Sequence, residues 1–242
     1  MSCFVLLGTA ALATGCGQAA SPPKSPATQG AATVSPSGAG SPPSLSQSSA
    51  ESPGPTWPVV LPVPAVPPGL HQTGTRPLAR GAILHAEMTD LWAAVVAGNP
   101  RLAMPAFFPV FAYEQVKAIY DPAGDWRNRL VYDFRLDIYA AHQFLGRAAR
   151  HARLVRVVVP ELEAQWVPRG ACYNSLGYWH VGGARIVYKV HGQERSIGIA
   201  SLISWRGRWY VVHFGAVLRA AVVGEVDQPS AGEGVPGPAG GC

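Results

Sequence analysis

RSIGIASLISWRGRWYVVHFGAV, residues 195–217, is the stretch that decides the fold. Two runs rich in Ile, Val, Trp, Tyr and Phe flank a central Arg-Gly pair, and a glycine-containing pair between two β-prone runs is typical of a β-hairpin. Placing Trp205 opposite Arg208 sets Gly198 opposite Gly215. Because two facing glycines have no side chains to pack, we predict that the sheet bends at this pair.

The two faces of this hairpin differ in character. One face is bulky and apolar, and it includes Ile203 opposite Tyr210. The other has small residues at one end, Ala200 and Gly198, and the same register places His213 beside them. Because both faces are largely apolar, we expect one to cover a helix and the other to meet a protein partner.

Hydrophobic spacing predicts helices before the hairpin and strands around it. Residues 77–97 and 126–146 carry apolar side chains three and four positions apart, which is typical of helices with one buried face. The stretches 113–119 and 121–125 are interpreted as a short strand or turn and as a turn. Beyond them the period changes to two, and strands are predicted at residues 154–159, 162–167, 184–190, 196–205 and 209–218. This order indicates an α+β fold in which a curved antiparallel sheet wraps around the long helix.

The two predicted helices and the closing pair ISWRGRWYVVHFG, residues 203–215, resemble the cone-shaped fold of the nuclear transport factor two-like superfamily. That superfamily includes the ketosteroid isomerases and the SnoaL-like cyclases. The resemblance implies a pocket between the long helix and the curved sheet. It does not determine function, since the fold hosts enzymes, binding modules and protein–protein adaptors alike, and the catalytic pattern of the isomerases has no residue-by-residue match in this chain.

Composition divides the chain into a folded part and two polar ends. Residues 17–75 are dominated by Ser, Pro, Ala and Gly, and residues 221–242 are similar. Such segments bury too little apolar surface to offset the entropy lost on ordering, so a disordered linker and a disordered tail are predicted. The remaining residues, 76–220, are the size of one domain. This domain has 18 of the 19 Lys and Arg and 10 of the 14 Asp and Glu, so its net charge is +8 in a chain of net charge +5. Such a charge favours anionic partners or keeps the domain soluble.

The N-terminus carries an export pattern. An apolar run at residues 4–14 is too short to span a bilayer and is typical of a signal-peptide core. It ends in ATGC, residues 13–16, which resembles a bacterial lipobox. The resemblance implies a signal peptide of residues 1–16, lipid on Cys16, and a domain tethered to the outer face of the bacterial cell membrane. A plain secretory signal, with the domain secreted, is the alternative.

The candidate catalytic residues are His213 and His180. A concave sheet face with small neighbours would let His213 act as a pocket base or a hydrogen-bond donor; the alternative is a core histidine. His180 ends the segment YNSLGYWH, residues 173–180. Aromatic and amide groups line polar-rimmed pockets, so the candidate ligand-binding residues are Tyr178, Trp179, Trp209 and Asn174. A loop packed by its own aromatic side chains is the alternative for this segment.

Metal and cofactor sites are not predicted. The seven histidines are scattered, with no HxH or HExxH motif, and no P-loop or strand-linked GxGxxG is present. Cys172 and Cys242 do not belong to a CxxC motif, although a disulfide between them is allowed in an oxidising compartment.

Two charged groups have both a structural and a functional interpretation. Asp133 and Asp137 lie four residues apart on the long helix, where they could share a proton or form a solvated face on which Arg129 neutralises Asp133. Four arginines spaced every third residue form a candidate anion-binding patch, or cations that complement the end of the helix: Arg147, Arg150, Arg153 and Arg156.

The sequence therefore predicts a membrane-anchored extracytoplasmic lipoprotein with a binding or interaction domain of no assigned chemistry. Its predicted partners are the membrane, through lipid on Cys16, and a second copy or an envelope protein, through an apolar sheet face. Export argues against nucleic acid as a partner. The alternative is a small-molecule isomerase or cyclase-like enzyme with a pocket histidine. The enzyme hypothesis requires an open cavity lined by His213 and a second polar group.

Overall fold

The computed structural model describes residues 58–237. In this part of the chain four α-helices precede the sheet: α1 Ala82–Ala97, α2 Val110–Val116, α3 Pro122–Asp125 and α4 Val131–Leu145. A π-helical segment, Trp126–Leu130, joins α3 to α4. The strands are β1 Arg153–Val158, β2 Gln165–Val167, β3 Tyr178–Val190, β4 Gln193–Trp205, β5 Arg208–His213 and β6 Ser230–Ala231. Short 3-10 segments lie at Pro100–Ala106, Gly146–His151, Glu161–Glu163 and Ala171–Tyr173.

These strands form one antiparallel sheet, which confirms the α+β class. Its path runs β1-β3-β4-β5, with β2 also paired to β3 and β6 also paired to β4. No helix among the described residues is long and apolar enough to cross a membrane.

The predicted hairpin turn is present, but the register of its strands changes partway along. Arg206 and Gly207 both have positive φ, 53° and 77°, as a tight two-residue hairpin turn requires. Trp205 pairs with Arg208 as predicted, and the register holds as far as Leu202 opposite Val211. Beyond that pair the register shifts by one residue, and Ser201 pairs with His213.

This shift is a β-bulge at Val212, and it corrects two predictions. Gly198 does not face Gly215, because the bulge offsets every later pair by one residue. Residues paired across antiparallel strands share a face, so His213 lies on the face of Ser201 and Ile203. The prediction that it shares a face with Ala200 is wrong.

The helical region differs from its prediction mainly at element ends. The first helix begins at Ala82 rather than at residue 77. The segment predicted as a short strand or turn, 113–119, lies largely in α2. The turn at 121–125 is the single helical turn α3, whose first turn is capped by the Asp121 carboxylate accepting from the Gly124 N–H at 2.8 Å.

The core lies between the helices and one face of the sheet. Aromatic contacts join the two layers: Trp92 of α1 stacks on Tyr188 of β3 with ring centroids 4.9 Å apart, and Phe108 meets Trp205 of β4 edge-on at 6.2 Å. All four of these residues are buried. Burial of such large side chains is the main favourable term in the free energy of folding.

Segments on either side of the predicted domain also contact the sheet. From the N-terminal side, the Gln72 side chain donates to the Ser204 carbonyl at 2.9 Å, and the Gly74 carbonyl accepts from the Trp179 indole at 3.0 Å. From the C-terminal side, β6 pairs with β4, and the Gly198 N–H donates to the Asp227 carbonyl at 2.7 Å. The folded unit therefore extends beyond the predicted limits of 76 and 220.

The predicted signal peptide, the lipidation site Cys16 and Cys242 lie outside the described residues, as does most of the predicted linker.

Candidate functional site

A cavity of about 270 Å³ opens between the helices and the sheet. Its walls come from α2, the π-helical segment before α4, the loop before β3, strands β2 to β5 and the residues after β5. The lining residues are Tyr113, Val116, Lys117, Arg129, Leu130, Val167, Cys172, Tyr178, His180, Ser201, Ile203, Val212, His213 and Val217. A mostly apolar wall with a few convergent polar groups is the usual composition of a small-molecule site.

His213 lies in this cavity because of the β-bulge. Its buried Nδ1 atom has no hydrogen-bond partner among the described residues. Burial, followed by the positive charges of Arg129 and Arg219, lowers the pKa of His213 to about 4. The imidazole is therefore neutral at pH 7. A buried polar atom without a partner costs free energy, so in a native structure it indicates a site for a ligand or an ordered water.

His180 and Ser201 form a hydrogen-bonded pair on neighbouring strands of the same wall. The His180 Nε2 and Ser201 Oγ atoms are 2.9 Å apart, and burial lowers the pKa of His180. Nucleophilic serine chemistry needs a third group that orients the histidine. No acidic side chain is among the described residues that line the cavity, so this pair lacks that third group.

Tyr113 connects the cavity wall to the ion pair of Arg129 and Asp125. Its hydroxyl donates to Asp125 Oδ2 at 2.5 Å and accepts from Arg129 Nη2 at 3.1 Å. Arg129 also makes a two-pronged contact with Asp125, at 2.8 and 2.5 Å. Burial and the Asp125 hydrogen bond raise the pKa of Tyr113. Although burial opposes it, hydrogen bonds from Arg129 and Tyr113 hold the pKa of Asp125 below its ordinary value.

Lys117 contributes the second cation of the cavity wall. Its ammonium donates to the Cys172 carbonyl at 2.9 Å, which ties the end of α2 to the loop before β3. Burial, followed by the nearby charge of Arg129, lowers the pKa of Lys117. Cys172 itself is disulfide-bonded, and the other cysteines, at positions 3, 16 and 242, lie outside the described residues. Pairing with Cys242 stays a prediction.

The structure brings together only some of the predicted site residues. His213, His180 and Tyr178 line the cavity, and the buried Asn174 amide donates to the Tyr178 hydroxyl at 3.2 Å. Two residues predicted to bind ligand lie on the opposite sheet face, since the pleat alternates side chains between faces. Trp179 packs there under Arg76, with the guanidinium 5.1 Å from its ring, and Trp209 is buried away from the cavity.

The two helical aspartates do not act as predicted. Arg129 pairs with Asp125 instead of Asp133, because it faces back along the helix toward the preceding turn. Asp137 is fully buried and pairs with Arg219, whose Nη1 and Nη2 atoms lie 2.9 and 2.8 Å from its two oxygens. Asp133 lies 3.6 Å from Arg219 on the same side. These carboxylates hold the C-terminal segment and do not form an acid–base pair.

The predicted arginine patch is partly neutralised. Arg156 lies between two glutamates, 2.7 Å from Glu233 and 3.4 Å from Glu194. Arg153 donates to the Arg150 carbonyl at 3.0 Å. Arg147 is exposed at the end of the long helix. Arg156 is therefore neutralised, and anion binding by Arg147, Arg150 and Arg153 stays a prediction.

Sequence reasoning missed Tyr113, Lys117 and Arg129 as cavity residues. Tyr113 and Lys117 are four residues apart, which is the spacing of neighbours on one helix face. That spacing is present in the sequence, but interpreting the stretch 113–119 as a short strand or turn hides the helical relation of the two residues.

The described part of the chain has no cluster of three or more His, Cys, Asp or Glu side chains that could hold a metal ion. Comparison with models of protein families, with curated protein sequences and with solved structures finds no match to this chain.

Proposed function

We propose that this domain binds a small, largely apolar molecule in the cavity between its helices and its sheet. The observation that carries the proposal is the buried Nδ1 atom of His213, which has no hydrogen-bond partner within residues 58–237 and lies in the wall of an open cavity. Leu130, Ile203 and Val212 supply apolar surface beside it. A ligand would cover that surface and could satisfy the imidazole.

The titration behaviour of His213 favours binding over catalysis. A general base works best when its pKa lies near the working pH, and the pKa of His213 is about 4. A neutral imidazole is still a good hydrogen-bonding group, with one donor and one acceptor nitrogen. His213 is therefore assigned to ligand recognition.

Native mass spectrometry of the full chain tests this proposal, with the protein purified from cells under non-denaturing conditions. We expect a small-molecule adduct of one per chain. Val217→Trp places a bulky ring at a lining residue that is 42% exposed, and Val155→Trp does the same at a residue that is 43% exposed and outside the cavity. Loss of the adduct in the first variant alone supports the site. The absence of any adduct, or its retention in Val217→Trp, contradicts the proposal.

The setting that we propose is a lipoprotein whose cone-shaped domain, similar to the nuclear transport factor two-like fold, is tethered through lipid on Cys16 at the outer face of the membrane. The antiparallel sheet that borders a helix-covered cavity supports the fold. The disulfide at Cys172 supports an oxidising compartment. Fractionation of cells that express Cys16→Ala tests the anchor: the variant should leave the membrane fraction, and a membrane-bound variant would contradict it.

An isomerase or cyclase-like activity is the second candidate. It is favoured by the presence of two histidines and of Tyr113 among the residues that line the cavity. Conversion of the bound molecule, rather than its release unchanged, would distinguish this candidate from binding alone.

A further inference from the structure

The cavity contains an unbalanced set of charges. Two cationic side chains, Lys117 and Arg129, belong to its wall, and none of the described lining residues is acidic. The Asp125 carboxylate, which lies behind the wall, is already engaged by both Arg129 and the Tyr113 hydroxyl. Among the described residues no carboxylate forms an ion pair with Lys117, and the charge of Asp125 acts on it only from a distance.

Hydrogen-bond donors also remain available on both cations. The Lys117 ammonium has three donors and gives one to the Cys172 carbonyl. Arg129 uses its Nε and Nη2 atoms on Asp125 and Tyr113, which leaves Nη1 with no hydrogen bond to a described residue. These donors occur at the same cavity as the partnerless Nδ1 of His213.

Building on the proposed binding function, we infer that the ligand is an apolar carboxylic acid, whose carboxylate binds Lys117 and Arg129 and whose hydrocarbon body fills the space beside Ile203. A carboxylate is the acceptor that matches a guanidinium and an ammonium best. The neutral histidines add hydrogen bonds without adding charge. Burial is the main reason that the pKa of His213 is lowered, and the positive charges of Arg129 and Lys117 act in the same direction; a bound anion would offset those charges.

The test compares two probes of equal shape, 1-naphthoate and the neutral 1-naphthamide, by calorimetric titration of the full chain at pH 7.5. A charge-assisted hydrogen bond contributes roughly tenfold or more to affinity, so we expect naphthoate to bind at least about tenfold more tightly than the amide. Lys117→Met should remove that preference by weakening naphthoate alone. Lys189→Met is the matched control, since it removes the same charge from an exposed position of β3 outside the cavity.

The outcomes separate this inference from the proposed function. Equal affinity for the two probes, or equal losses in the two lysine variants, overturns the carboxylate and leaves small-molecule binding in place. If neither probe binds but mass spectrometry still detects a cavity adduct that is not an acid, the carboxylate is also overturned and small-molecule binding stays in place. Binding of neither probe together with no adduct overturns both. A loss of amide affinity in Lys117→Met as large as that of naphthoate would assign Lys117 to loop structure alone.

Discussion

Two polar centres, at Asp137 and at His213, differ in how completely their hydrogen-bonding groups are satisfied. At the first, Asp137 accepts four hydrogen bonds: two from Arg219, and one each from the N–H groups of Gly215 and Glu225, at 2.8 to 3.0 Å. At the second, His213 has a buried nitrogen with no partner. Complete satisfaction is typical of a structural centre, whereas an unpaired group beside a cavity is typical of a binding site. We therefore assign Asp137 to the stability of the fold and His213 to ligand binding.

The largest expected effect comes from removing the buried Asp137 carboxylate. Asp137→Ala would leave the Arg219 guanidinium and two backbone N–H groups without an acceptor. Removing one partner of a buried ion pair typically costs about 3–5 kcal/mol, and we expect a loss of that order in the free energy of unfolding, measured by urea denaturation at pH 7.5.

Asp133→Ala is the matched control for that substitution. Asp133 lies on the same helix, at 3.6 Å from the same arginine, but makes no hydrogen bond to it. We expect a loss of about 1 kcal/mol or less. Equal losses in the two variants would contradict a special role for Asp137.

A smaller effect on stability should appear when His213 is titrated. The pKa of His213 is about 4 in the folded protein and about 6.5 when unfolded. Below pH 6.5 His213 binds a proton in the unfolded chain but not in the folded chain. The free energy of unfolding therefore falls as the pH drops from 6.5 to 4. The full difference is about 3–4 kcal/mol at most.

His213→Leu isolates this contribution. Glu87 titrates in an overlapping range with the opposite sign, because burial raises its pKa to about 7, but it is present in both proteins and cancels in the difference. At pH 7.5 we expect the two proteins to differ by about 1 kcal/mol or less, since His213 makes no hydrogen bond that is lost. From pH 6.5 downward the variant should become progressively the more stable of the two. Parallel pH profiles would contradict a neutral, buried His213.

The hairpin was predictable from local signals, whereas its bulge was not. Arg206 and Gly207 form the turn because a tight β-hairpin needs two residues with positive φ. Since Gly adopts positive φ readily, its presence between two β-prone runs predicts the turn. The bulge at Val212 carries no such signal. Val211 and Val212 are equally apolar, so the pattern fits either register. The bulged register is the one that the structure shows, and it places His213 on the face of the cavity.

The C-terminal segment was not predictable from composition, because its contacts are polar and distant in sequence. It has few apolar residues to bury, and Arg185 holds it through the carbonyl of Gln228 at 2.8 Å. Arg219 reaches a carboxylate 82 positions away. Pattern reasoning is sensitive to neighbours three or four residues apart, so it placed Arg129 beside Asp133 and overlooked Arg219.

The smallest expected effect concerns how closely this segment approaches the sheet. A Cβ at Gly215 would lie 2.1 Å from the Glu225 carbonyl oxygen, whereas a Cβ at Gly74 meets nothing within 4 Å. Overpacking against backbone typically costs about 1–3 kcal/mol, and Gly215→Ala must also move the Gly215 N–H that donates to Asp137. We expect a loss of that size for Gly215→Ala and almost none for Gly74→Ala, with faster proteolysis after residue 219 in the first variant alone. Because Gly215 lies two residues from His213, ligand binding measured in the same variant reports on the two centres together. Weakened binding would show that the hydrogen bonds of Asp137 help to position His213. Unchanged binding would show that the β-bulge alone positions it.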